Sequence, residues 1–91
     1  MIVGFALQAG AQTQNCAPRD MVIERLANKY GEVRQSMGLG ANNVVIEVFA
    51  SEKSGTWTIT ATSVSGLTCL VASGQAYENV SETLKSEGAP L

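Results

Sequence analysis

The two cysteines, Cys16 and Cys69, place the tightest limit on what this 91-residue chain can become. A chain this short buries a smaller fraction of its surface than a larger one and is marginal without help. Joining Cys16 to Cys69 closes a loop of about 53 residues, and loop-closure entropy puts the gain at roughly 4 kcal/mol, less any native strain. That is comparable to the whole stability of a small domain. The competing reading is two unrelated buried thiols. A metal site is disfavoured, because zinc wants about four ligands and the chain has no histidine to complete a set. No Cys-x-x-Cys redox motif is present either. Neither a metal nor a cofactor is expected.

This length holds one domain at most. The chain is 45% hydrophobic and 15% charged, too apolar for disorder and too interrupted for a membrane protein. A net charge of −2 leaves no basic footprint for nucleic acid and no polybasic patch for a lipid surface. The missing histidine also removes the commonest general base. A non-enzymatic protein is the expectation.

Met1–Ala11 is apolar and ends in Ala9-Gly10-Ala11, a small-x-small pattern suited to signal peptidase. No Lys or Arg precedes the run, and the run is short. The reading is a truncated signal peptide over 1–11, followed by a single domain over 12–91. An unstructured apolar terminus and a first strand are the alternatives. Export to the periplasm or beyond supplies the oxidising conditions in which Cys16–Cys69 forms. Nothing elsewhere approaches the roughly 20 apolar residues of a spanning helix, so no membrane span is expected.

Beyond Cys16, the sequence Ala17-Pro18-Arg19-Asp20 has the marks of a helix start. Proline suits the first turn, and an acid there complements the helix dipole. Val22, Ile23, Leu26, Ala27 and Tyr30 then fall on one face, with Gly31 as the stop. The spacing predicts a helix over 18–30. Alternation over 32–39, 44–50 and 56–62 predicts three strands. The stretch Gly66–Gly74 reads as a fourth. Glycine- and polar-rich loops separate them. Ala76, Tyr77, Val80 and Leu84 at helical spacing predict a short second helix over 75–86. The expected fold is α+β: one N-terminal helix packed on a four-stranded antiparallel meander, a short C-terminal helix and one disulfide.

Parity assigns the faces. Val33, Met37, Val44, Ile46, Val48, Trp57, Ile59, Leu67, Cys69 and Val71 are expected under the helix. Thr56, Thr58, Thr60 and Thr62 are expected in water, since threonine forms strands and tolerates solvent. Val45, Phe49, Leu70 and Ala72 then flank the threonines on the outer face as a candidate interface for a protein partner or a second copy. Coverage by the C-terminal helix is the other reading. The last strand, as an apolar sheet edge, is a further candidate for pairing. Trp57 and Tyr30 are candidates for the wall of a ligand pocket between helix and sheet, or else ordinary packing. Glu47, inside an apolar strand, is either a perturbed acid–base group or a solvated side chain. A small-ligand binder with its pocket near Trp57 is the alternative to the interaction module.

The segments Leu26-Ala-Asn-Lys-Tyr-Gly-Glu, Ile46-Glu-Val-Phe-Ala-Ser, Gly55-Thr-Trp-Thr-Ile-Thr and Gly66-Leu-Thr-Cys-Leu-Val-Ala-Ser-Gly-Gln-Ala-Tyr-Glu together resemble a group of small, uncharacterised exported proteins of Gram-negative bacteria. The resemblance spans about Cys16–Glu78. It implies periplasmic residence and brings no catalytic or ligand residues with it.

Overall fold

The computed structural model describes residues 15–81. The expected signal peptide over 1–11, and the expected second helix past residue 81, lie outside them. Strand β1 (Cys16–Pro18) leads into helix α1 (Arg19–Tyr30), followed by β2 (Val33–Leu39), β3 (Val45–Ala50), β4 (Trp57–Thr62) and β5 (Leu67–Gly74). All pairings are antiparallel, and the sheet runs β1-β5-β4-β3-β2. The fold is α+β with one disulfide, as expected, but the sheet has five strands rather than four. The extra one is Cys16–Pro18, too short to show alternation.

β1 docks on the far side of β5. The last strand is therefore an inner strand over Leu67–Cys69, and the sheet edges are β1 and β2. The helix carries the chain from one edge to the other. Its first N–H, that of Arg19, donates to Gly66 O at 3.1 Å, beside the β1–β5 pairing. It closes at Gly31, whose φ of +66° is a left-handed turn that glycine takes without steric cost. The Gly31 N–H donates to Ala27 O and the Glu32 N–H to Leu26 O. No second helix forms over Gln75–Ser81. Ala76 takes a left-handed φ of 59°, and the Tyr77 N–H donates to Gly55 O, which commits that backbone to the β3–β4 hairpin.

Across β3 and β4 the faces are the reverse of those expected, whereas Met37, opposite Glu47, does lie on the helix side. Pairing puts Glu47 opposite Thr60, Phe49 opposite Thr58 and Val45 opposite Thr62, and Thr62 opposite Thr68. This is the face beneath α1. Thr58, Thr60, Thr62, Thr68 and Glu47 are all buried there, as is Leu26 of the helix. Ile46, Val48, Trp57, Ile59, Ala61 and Cys69 lie on the opposite face. Buried threonines are tolerable where their hydroxyls are paired, and Thr62 and Thr68 bond each other at 2.7 Å. Among the described residues only Leu26, Phe49 and Ala50 are buried apolar residues, so the apolar core they form is very small.

The disulfide Cys16–Cys69 is present. It does not tie the helix-side face to the helix. The two cysteines are directly paired across β1 and β5, their Cα atoms 3.9 Å apart, on the face away from α1. A cross-strand position of the close-approach type suits a bridge. Without it, three paired residues hold β1. Reducing the bond, or replacing Cys69 by Ser, is expected to lower stability by about 4 kcal/mol. Urea melts with and without reductant measure this.

The threonines allow a sharper contrast. Thr60 Oγ1 is buried without a partner, whereas Thr62 and Thr68 satisfy each other. Thr60→Val is expected to stabilise by about 1 kcal/mol by removing an unpaired hydroxyl. Thr62→Val is expected to cost about 1 kcal/mol by stranding the Thr68 hydroxyl. Equilibrium unfolding of the two variants distinguishes them in sign.

Candidate functional site

Two features beneath the helix carry chemistry: a charge cluster at its start and a cleft at its end. At the start, Glu47 on β3 is fully closed to water. Arg19, the first residue of α1, grips it with two hydrogen bonds, Nε to Oε1 at 3.1 Å and Nη2 to Oε2 at 2.6 Å. Arg34, on β2, adds Nη1 to Oε2 at 3.1 Å. A two-pronged guanidinium contact is among the strongest a carboxylate can receive. The hydrogen bonds from Arg19 outweigh desolvation, and Arg34 adds to them, so the Glu47 carboxyl is held below the ordinary glutamate range. That is the opposite of the raised value an acid–base role at neutral pH requires. Arg19 is correspondingly raised by its bonds to Glu47. Both arginine side chains reach water, at 37% and 48% exposure, while the carboxylate does not. The cluster therefore reads as a structural clasp joining α1, β2 and β3.

At the other end of the helix lies a cleft of about 280 Å³, walled by Leu26, Tyr30, Glu32, Trp57, Thr58 and Leu70, among others. Tyr30 and Trp57 both line it, Tyr30 from the helix and Trp57 from β4, where alternation puts Trp57 on the face away from α1. The Trp57 indole is fixed in place. Its N–H donates to Gln75 O at 3.1 Å, and its ring lies so close to Gly74 that a Cβ at that residue would stand 2.7 Å from Trp57 Cζ2. A second hollow of about 340 Å³ shares Leu26, Tyr30 and Leu70 and extends along the helix to Met21, Arg25 and Cys16. Lys29 Nζ sits over the Tyr30 ring, 5.7 Å from its centre.

Glu32 is the residue in this cleft that sequence reasoning passed over. It is 3% exposed, and its Oε1 has no hydrogen-bond partner. Its place follows from the helix closure, which turns the chain at Gly31 and bonds the Glu32 N–H to Leu26 O. The available signal was its parity: Glu32 stands two residues before Arg34, whose side chain reaches beneath the helix.

The candidate interface is not brought together as one exposed surface. Val45, Phe49 and Leu70 lie on the helix side and Ala72 on the other. Phe49 is 2% exposed, so it offers nothing to a partner. Leu70 instead lines the cleft. The face α1 leaves open is that of Ile46, Val48, Trp57, Ile59 and Ala61, all half-buried. The only charged residues in the five strands, Arg34 and Glu47, both lie under the helix. Among the described residues no three acid or cysteine side chains cluster as metal ligands, and no helix is long and apolar enough to cross a membrane. No family model matches this chain, and no curated protein or solved structure does so.

The clasp predicts a specific acid response. Glu47 is lowered in the folded state, so its contribution is complete above the ordinary glutamate pKa, about 4.3, and is lost as pH falls through the lowered folded value. Arg19→Met leaves the buried carboxylate with Arg34 alone. It is expected to cost about 2 kcal/mol at pH 7, less than the roughly 3–5 for breaking a fully buried pair, because Arg34 remains. The acid-dependent loss should shrink in the variant. Urea midpoints at pH 7 and pH 3 for both proteins measure the two effects.

Proposed function

We propose that this chain is an exported, non-enzymatic interaction module whose uncharged sheet face meets the same face of a second copy. One observation carries the reading: the helix covers the polar side of the sheet and leaves the apolar side open. Ile46, Val48, Trp57, Ile59 and Ala61 are contiguous across β3 and β4. Apolar patches of this kind mark contact surfaces. A second copy is favoured as occupant because the face carries no charge. A charged face repels its own duplicate, whereas an apolar one is complementary to itself, and two-fold pairing is the commonest assembly. The cross-strand disulfide at the edge of this face supports an oxidising compartment, and with the resemblance it supports the periplasm.

Light scattering after size exclusion tests the reading. Disulfide-bonded protein is expected at twice the monomer mass at high micromolar concentration. Ile59→Lys is expected to be monomeric throughout, with an unchanged circular dichroism spectrum. A wild type that remains monomeric at every concentration removes self-association. If it then captures one other exported protein, in an Ile59-dependent manner, the face belongs to a different partner.

A further inference from the structure

We infer that the cleft at the C-terminal end of α1 binds an organic cation, an ammonium group on an apolar body, with Glu32 as its counter-charge. The inference is independent of the outer face. A buried carboxylate with an unpaired oxygen is costly, and native proteins rarely keep one unless a partner arrives. Glu47 shows how this chain treats a buried acid that serves only the fold: it receives three hydrogen bonds from two arginines. Glu32 is almost as deeply buried, yet Oε1 receives none. It also stands at the C-terminal end of a helix, where the backbone dipole disfavours negative charge. Both terms favour a cation beside it.

The cleft defines the rest of the ligand. Leu26, Leu70 and Tyr30 are shared by the two adjoining hollows, which gives an apolar body a continuous surface to lie on. Glu32 forms part of the wall, so its unpartnered carboxylate borders the space a ligand would fill. Lys29 already stands over the Tyr30 ring, so selectivity for a cation is assigned to the carboxylate. A bare metal ion is a poor candidate. It needs several oxygen ligands, and among the described residues no cluster of three supplies them.

The probe is phenethylamine, with 2-phenylethanol as its uncharged counterpart, titrated by calorimetry into the disulfide-bonded protein. Saturable amine binding is expected, at least tenfold tighter than that of the alcohol. Glu32→Gln should remove this preference by weakening amine binding at least tenfold. Without ligand, the same variant should melt higher than wild type, since it loses an unpaired carboxylate; a glutamate serving the fold would melt lower when replaced. Amide shifts on amine addition should centre on Glu32, Thr58 and Leu70. Tyr30→Ala, which alters a side chain 45% exposed, should weaken the amine and keeps the test usable if Glu32→Gln fails to fold. Equal binding of amine and alcohol, no saturable amine binding, retention in Glu32→Gln, or shifts centred elsewhere would each overturn the inference.

Discussion

One carboxylate shut away from water organises this fold. Glu47 sits on an inner strand, closed to water beneath the helix, where a charge is tolerable only when surrounded by donors. Those donors come from two other elements, the first residue of the helix and the second residue of edge strand β2. The clasp thereby fixes where the helix begins over the sheet and keeps β2 in register with β3. With so few buried apolar side chains, direction comes from hydrogen-bonded polar groups more than from hydrophobic packing. Such pairs contribute less net stability than their geometry implies, because desolvation offsets the attraction. Their larger effect here is to make one arrangement of helix and sheet better satisfied than the others.

Much of the backbone was legible in the residues. The helix stops at Gly31 as its spacing required, and the four longer strands fall within a residue of their alternating stretches. The cysteine pairing followed from count and the expected compartment. What the residues did not reveal was facing. Ile46, Val48, Trp57 and Ile59 look like a core face because burial is usually apolar, and Thr58, Thr60 and Thr62 look like a wet one. Parity fixes which residues share a side and says nothing about which side the helix takes. Glu47 could have decided it, since a charge inside an apolar strand calls for counter-charges, and Arg19 and Arg34 are near at hand in the sequence. The bridge misled in the same way. Cys16 read as the lead-in to a helix, so its partner seemed bound to face the helix, whereas Cys16 itself opens a three-residue strand.

The cleft was half legible. Tyr30 and Trp57 both line it, Trp57 from the strand face turned away from the helix, but the group with the unmet valence is Glu32, which no motif advertises. The helix closure at Gly31 brings it there. Two buried glutamates thus stand at opposite ends of one helix under opposite conditions, one saturated with donors and one short of them. The contrast separates a side chain that completes the architecture from one whose geometry the architecture alone does not explain.

The pairing of β1 with β5 sets the order in which this protein can be assembled. The first strand has no neighbour until the last one exists, since β5 is its only partner in the sheet. Synthesis from the N-terminus presents the Cys16 thiol before Cys69 has been made. The hairpins of β2, β3, β4 and β5 connect neighbours in sequence and close locally, whereas this seam waits for nearly the whole length to arrive. During that interval Cys16 has no Cys69 to pair with, so the bridge and the β1–β5 seam are among the last links of the fold to close.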